Sequence, residues 1–269
     1  MSNHPQYPII ALLSDFGWQD NYVGMMKGTI AQINPRLQVI DLNHQIPPQD
    51  IAAARFNLMQ ACDYFPKGTI YVAVVDPGVG GDRLGVGVQF AGGYLVGPDN
   101  GMFSGLLEQY PAIAAVSLTN TDYWRTKQPS ATFHGRDIFA PAGAHLANGV
   151  PLSALGEPIS PESLVEIALP QLRKTPQDII GSIQYIDHFG NLITNIPAEI
   201  LTDICCDIQV GSHRIQLIKT YGEILVGEMA GLIGSHGLLE VVVNQGNAQK
   251  ALGATVGNEV KITRKKQID

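Results

Sequence analysis

Thr69-Ile70-Tyr71-Val72-Ala73-Val74-Val75-Asp76-Pro77-Gly78-Val79-Gly80-Gly81-Asp82-Arg83 is the stretch that decides the fold. The run from Thr69 to Val75 is β-branched, aromatic and apolar, and reads as a buried strand. It stops at Asp76-Pro77, because proline cannot donate to a sheet ladder. Gly78, Gly80 and Gly81 then give the backbone unusual freedom. Asp76 therefore sits where a strand opens into a glycine-rich loop, with Arg83 within one loop's reach. Ligands of open α/β sheets gather at such carboxyl ends of strands. A plain turn carrying a surface ion pair fits the same residues.

Upstream, Ile9 to Leu13 reads as a first strand, ending in Ser14-Asp15-Phe16-Gly17-Trp18-Gln19-Asp20-Asn21. Val23, Met26, Ile30 and Ile33 recur at helical spacing over Tyr22 to Ile33, and Pro35 closes that helix. Leu37 to Leu42 alternates as a second strand. Asp50 is placed to cap a helix from Ile51 to Ala61. The order β-α-β-α-β implies a doubly wound, Rossmann-like, mostly parallel sheet. Downstream, Gly85–Phe90 and Tyr94–Val96 flank Gly92-Gly93 and read as a hairpin. Pro98-Asp99-Asn100-Gly101 is a second strand-end loop before a helix from Met102 to Gln109. Ile113 to Leu118 reads as a strand and Arg136 to Asn148 as a helix.

After Gly149 the pattern changes. Pro151, Pro158, Pro161, Pro170 and Pro176 punctuate a stretch with little periodicity, which reads as a linker. Beyond it come short strands with turns: 179–186, 192–196, 207–210, 213–218, 224–226, 238–243 and 259–263. That spacing predicts a small all-β barrel or sandwich. The expected organisation is an α/β domain over residues 1–165, including the start of the linker, and a β-barrel over 175–269.

Composition narrows the function classes. The 269 residues are 45% hydrophobic and 15% charged, with net charge -7. This suits a globular protein with a sizeable core. The one basic run, Arg264-Lys265-Lys266, is too small for a nucleic-acid face, so no nucleic-acid partner is expected. Cys62, Cys205 and Cys206 show neither metal-ligand spacing nor a disulfide framework; the adjacent pair reads as core packing. Met1-Ser2-Asn3-His4-Pro5 does not look like a signal segment, and no apolar run is long enough to span a bilayer. A cytoplasmic location is the expectation.

Five polar loops are candidates for chemistry. Asp15 could accept hydrogen bonds from the vicinal hydroxyls of a ribose, or cap the next helix. The Asp76–Arg83 loop is the second, and Phe133-His134-Gly135-Arg136-Asp137 the third; its charges could simply serve a helix's first turn. Asp187-His188-Phe189-Gly190-Asn191 and Gly234-Ser235-His236-Gly237 use ordinary turn residues. No G-x-G-x-x-G, H-E-x-x-H or G-x-S-x-G pattern is present, so a dinucleotide site, a metal and a serine nucleophile are not expected.

Taken together and in order, Ser-Asp-Phe-Gly, Val-Val-Asp-Pro-Gly-Val-Gly, Pro-Asp-Asn-Gly, Phe-His-Gly-Arg-Asp-Ile-Phe-Ala-Pro and Ile-Asp-His-Phe-Gly-Asn-Leu-Ile-Thr-Asn resemble the S-adenosylmethionine hydrolase family, also called SAM hydroxide adenosyltransferases. The resemblance covers about residues 8 to 263. It implies an N-terminal α/β domain and a C-terminal β-barrel, assembled as a homotrimer with sites between subunits. It implies an Asp-Arg-His triad at Asp76, Arg83 and His134. Substrate contacts are implied at Asp15, Asp20, Asn100, Phe133, Asp187, Phe189, Asn191 and Ser235. S-adenosylmethionine is then the small-molecule substrate, with no cofactor, no metal and no membrane partner.

The implied reaction is attack of activated water on C5′ of S-adenosylmethionine, giving adenosine and methionine. The halogenating relatives of the family carry an aromatic residue in place of the acid at Asp76 and do not keep the histidine of His134. That difference favours hydroxide over halide as nucleophile. The rival readings are a halide-using substitution enzyme, separated by assay with and without halide, and a non-catalytic S-adenosylmethionine or adenosine binder, separated by turnover. A methyltransferase would leave S-adenosylhomocysteine instead.

Overall fold

The computed structural model describes residues 9–201 and 206–264, which divide into two compact units, Met1–Ile167 and Ala168–Asp269. The first unit opens with β1 (Ile10–Ser14), α1 (Tyr22–Ile33), β2 (Val39–Asn43), α2 (Ile51–Ala61) and β3 (Thr69–Val74). Every residue of β1 and β3 is buried. Strands apolar on both faces need cover on both faces, which crossover helices supply. Met26 and Ile30 of α1 pack with Ile10, Leu12, Ile70, Val72 and Val74 in one core. Each such side chain stabilises the fold by about 1.5–3 kcal/mol. The Asp50 side chain accepts from Ala53 N at 2.8 Å and caps α2.

β4 (Gly85–Phe90), β5 (Gly93–Pro98), α3 (Ser104–Gln109) and β6 (Ala114–Ser117) follow. The sheet has seven strands once β7 (Glu157–Ile159) is added, in the order β2-β1-β3-β5-β4-β6-β7. The expected mostly parallel sheet is borne out only in part: the sheet is mixed. β2, β1, β3 and β5 pair in parallel, whereas β5-β4, β4-β6 and β6-β7 are antiparallel. The hairpin is the cause. β5 inserts beside β3, so β4 runs back antiparallel outside it. Gly93 permits the insertion: at φ 152° it lies so close to Thr69 that a Cβ would fall 2.1 Å from its carbonyl oxygen.

The stretch read as a linker is a linker only in part. Leu152 and Leu155 are buried in the first core, and β7 pairs Ala115 with Ile159. Pro158 suits this edge strand, where a missing N–H costs no ladder bond.

The helix expected over Arg136–Asn148 begins as a π-helical turn, Gly135–Phe139, and continues as α4 (Ala140–Ala147). Pro141 explains the break. It has no N–H for the Asp137 carbonyl, which accepts from Arg125 N at 2.9 Å instead. Asp137 is fully buried beneath this turn, paired with Arg125 and Arg136 and accepting from Ser130 N at 2.9 Å. Burial alone would raise its carboxyl pKa. Hydrogen bonds from Arg136, Arg125 and Ser130 outweigh that and hold it well below the usual carboxylate range.

In the second unit, β8 (Arg173–Lys174) flanks β9 (Asp178–Ile186), followed by β10 (Leu192–Pro197), β11 (Cys206–Val210), β12 (His213–Gln216), β13 (Met229–Ile233), β14 (Leu238–Val243), α5 (Ala248–Leu252) and β15 (Glu259–Arg264). The antiparallel order β12-β11-β15-β9-β10-β14-β13 nearly closes, since a Leu217–Gly231 bridge links its two ends. Ile179, Leu192, Ile208, Leu239, Val241 and Ile262 fill its interior. The strand expected over 224–226 is a loop. Leu225 and Val226 are apolar but exposed, and Leu225 N donates to the Glu228 carboxylate at 2.8 Å. The strand lies instead at Met229–Ile233. Cys62 is buried; Cys205, the N-terminal residues to Pro8 and the tail beyond Arg264 lie outside the described residues, and of Cys206 only the backbone is described. Among the described residues no helix is long and apolar enough to cross a membrane.

Asp137→Asn removes the charge that two arginines converge on. Urea unfolding should show a loss of about 2–3 kcal/mol. The native carboxyl is depressed, so its stabilisation is present above the unfolded carboxylate pKa of about 3.9 and is lost as pH falls toward the folded value. The variant should lack that acid-side slope. An unchanged midpoint and slope would contradict the assignment.

Candidate active site

The ends of β1 and β3 place two carboxylates on one cleft. Asp15 follows β1 directly, and Asp76 follows β3 after Val75. The cleft measures about 410 Å³ and is lined by Asp15, Phe16, Tyr22, Gln49, Asp76, Val79, Phe133 and His134, among others. Phe133 is the hub of its aromatic wall, with ring centroids 5.6 Å from Phe16 and 5.2 Å from Tyr22 in edge-to-face contact.

Asp76, Arg83 and His134, the three residues grouped by the resemblance, lie in contact. Arg83 Nε donates to Asp76 Oδ1 at 2.9 Å, and Nη2 donates to Oδ2, a bidentate fork. Nη2 also lies 2.7 Å from His134 Nδ1. The guanidinium carbon stands 5.3 Å over the Phe139 ring, which covers one face of the charge. Gly80 makes the loop possible. It adopts φ 77°, and a Cβ there would lie 2.4 Å from the Ala131 carbonyl oxygen. Only glycine lets the Asp76 loop touch the segment that carries His134.

The histidine's proton follows from its partner. A guanidinium has donors only, so Nδ1 must accept from Arg83 and the ring proton sits on Nε2. Burial lowers the His134 pKa, and the Arg83 charge lowers it further. His134 is therefore a neutral imidazole at pH 7, with an N–H as its free function.

Asp15 is held from behind. Its Oδ2 accepts from Gln49 N at 2.8 Å, and Gln49 adopts φ 66°, a costly conformation for a residue with a side chain. Gln49, Phe16 and Tyr22 were not singled out by sequence reasoning. The Pro47-Pro48 pair before Gln49 was the available signal of a constrained backbone.

The remaining expected contacts fall in both units. Asp20 is exposed and Asn100 is turned inward, donating to the Val75 carbonyl at 2.8 Å; neither lines the cleft. In the second unit, Asp187 Oδ1 accepts from Phe189 N and Asn191 N at 2.9 and 2.8 Å, and Asn191 Nδ2 donates to Oδ2 at 2.9 Å. Phe189 is 69% exposed, with its ring projecting from this turn. Ser235 is exposed in the turn before β14, next to His236, which pairs with Glu240 at 2.5 Å. Burial and the Glu240 and Asp187 charges push the nearby Tyr221 hydroxyl upward. His236 lies in a loop that the sequence reading names and meets Glu240 four residues on, whereas Tyr221 is 19 residues before Glu240 and carries no local signal. Among the described residues no group of three metal-ligating side chains converges.

A largely buried carboxylate–guanidinium–imidazole cluster beside a second carboxylate and an aromatic wall is suited to an enzyme site. The comparisons give the family. Residues 10–156 match the SAM hydroxide adenosyltransferase N-terminal domain and residues 181–261 the corresponding C-terminal domain. The chain belongs to the SAM hydroxide adenosyltransferase family. A relative from Salinispora tropica named (R)-S-adenosyl-L-methionine hydrolase is 37% identical over 95% of this chain and 98% of its own length. A fluorinase from an Actinoplanes species is more distant, at 28% identity over 96% and 98%. The crystal structure of an uncharacterized conserved protein from Thermotoga maritima superposes with TM-score 0.89 at 34% identity, covering 95% of this chain and 100% of that one.

Nitrogen-15 NMR should show His134 as the neutral Nε2–H tautomer at pH 7, titrating below an ordinary histidine. A doubly protonated ring at pH 7 would contradict the Arg83 contact.

Proposed function

We propose that this enzyme hydrolyses S-adenosyl-L-methionine to adenosine and L-methionine, by attack of water on C5′. The observation that carries the reading is Arg83 joining Asp76 and His134 at the wall of a cleft that Asp15 also lines. Asp15 would grip the ribose hydroxyls. A water accepting from His134 Nε2–H and donating to Asp76 would turn its remaining lone pair toward C5′. The C5′–O bond forms as the C5′–S bond breaks, and its electron pair goes to sulfur. Methionine leaves as a neutral thioether, so sulfur needs no acid. The water's proton passes to Asp76, the member of the pair that still offers lone pairs to the cleft, and then to solvent. Arg83 does not line the cleft. It acts through the other two, fixing both orientations and the histidine tautomer. Positioning of this kind can supply roughly 7–11 kcal/mol of a barrier.

The name of the Salinispora relative specifies the (R) form. With the methionine carbon fixed as L, that label falls on the sulfonium centre, so both sulfur epimers belong in the assay. The further expectations from the sequence complete the proposal. The chain would assemble as a homotrimer, and Asp187, Phe189, Asn191 and Ser235 would reach the substrate from a neighbouring copy. The exposure of Phe189 supports a role in contacts that a single copy does not complete.

Incubation with each epimer, followed by chromatography, should yield adenosine and methionine without S-adenosylhomocysteine, at a rate indifferent to chloride. Halogenated nucleoside, or tight binding with no turnover, would replace this reading with one of its rivals. Asp76→Ala and His134→Ala should each lower kcat by about 10²-fold or more. Activity in the unmodified enzyme should fall as pH drops through the depressed His134 pKa, because a second ring proton would face the Arg83 N–H, and should not fall between pH 7 and 8. Full activity in both variants would defeat the assignment.

A further inference from the structure

Behind the Asp15 loop lies a hydrogen-bonded chain that the reaction above does not use. Ser14, at the end of β1, and His44, just after β2, are both buried, at 0% and 1% exposure. Ser14 Oγ lies 2.7 Å from His44 Nδ1, and His44 Nε2 lies 3.1 Å from Asp41 Oδ1. Asp41 in turn pairs with Lys27 of α1 at 2.6 Å. The order Ser-His-Asp looks like a nucleophile relay, but the serine is sealed from solvent and Phe16 N donates to its oxygen at 3.3 Å. His44 also holds the loop through its main chain, accepting from Gly17 N at 2.7 Å. The two attachments bracket Asp15.

We propose that His44 is the positioning residue for Asp15, acting as a neutral Nε2–H tautomer that holds the Asp15 loop through the Ser14 hydroxyl and the Gly17 amide. The inference rests on the functional reading above and names a further part of that same site. Asp41 fixes the tautomer: a carboxylate can only accept, so Nε2 carries the proton and Nδ1 accepts from Ser14 O–H. Protonation of His44 turns Nδ1 into a donor. The Ser14 hydroxyl must then rotate away, and its oxygen can no longer serve Phe16 N in the same geometry. The ribose grip loosens, whereas Asp76 and His134 stay in place.

The charged groups facing the ring are Asp41 from β2 and Lys27 from α1. Trp18 covers it edge-on at 4.9 Å between ring centroids and does not titrate. Burial lowers the His44 pKa and the Lys27 charge adds to this, against the opposing pull of Asp41. The neutral form is thus the resting one at pH 7, and protonation belongs to the acid side.

The experiment measures KM and kcat for S-adenosylmethionine between pH 5 and 7 in the unmodified enzyme and in Ser14→Ala, Asp41→Asn and His44→Asn, with thermal midpoints alongside. Asp41→Asn offers Nε2 either an amide oxygen or an amide N–H, so the tautomer is no longer fixed. His44→Asn places an amide oxygen near the Nδ1 position, an acceptor that cannot titrate. Ser14→Ala and Asp41→Asn should raise KM about five- to tenfold, the worth of one buried hydrogen bond, with kcat within about twofold. KM of the unmodified enzyme should climb as pH falls, whereas His44→Asn should keep a near-normal, pH-independent KM. His134 titration, by contrast, reads out in kcat. A KM that stays flat with pH in the unmodified enzyme, or an unchanged KM in both Ser14→Ala and Asp41→Asn, would overturn the inference. So would a pH-dependent KM that survives in His44→Asn. Absence of both binding and turnover in the unmodified enzyme is the separate failure of the functional reading, and the inference falls with it.

Discussion

One guanidinium organises the site. Arg83 spends two donors on Asp76 and a shared one on His134, with the Phe139 ring against its face. A buried carboxylate without that partner would be costly, and a buried imidazole without it would be free to choose its tautomer. With it, both groups have a single orientation toward the cleft. The pair is desolvated, with Asp76 and Arg83 at 6% and 12% side-chain exposure, so its fields are little screened by water.

The fold serves that arrangement through its mixed sheet. The parallel half brings the carboxyl ends of β1 and β3 side by side, which is why Asp15 and Asp76 share a cleft. The antiparallel hairpin β4-β5 carries the chain away and back, so that Arg83, just before β4, folds onto the end of β3. The π-helical turn before α4 supplies the third corner. It sets His134 at its start and Phe139 at its end, and both touch Arg83.

Much of this was legible in order along the chain. Strand ends announced themselves through Asp-Pro and glycine, and the Asp50 cap and the α1 periodicity are local signals that local physics obeyed. Pairing across distance was not legible. Nothing near Gly92-Gly93 says that β5 lies beside β3, so a mixed sheet was read as a mostly parallel one. Leu225-Val226 and Met229–Ile233 are both apolar; only the closed sheet decides which is buried. Arg83 and His134 stand 51 residues apart, and their contact came from the family resemblance, not from spacing. Gln49 escaped because its role lies in a backbone N–H, which every residue but proline carries.

The central claim is that solvent, oriented by this cluster, displaces sulfur from the sugar carbon. Turnover of S-adenosylmethionine in water enriched in oxygen-18, with mass analysis of the nucleoside, tests it most directly. The account predicts adenosine carrying one heavy oxygen at the 5′ position. Unlabelled adenosine, or a nucleoside without a 5′ hydroxyl, would contradict it.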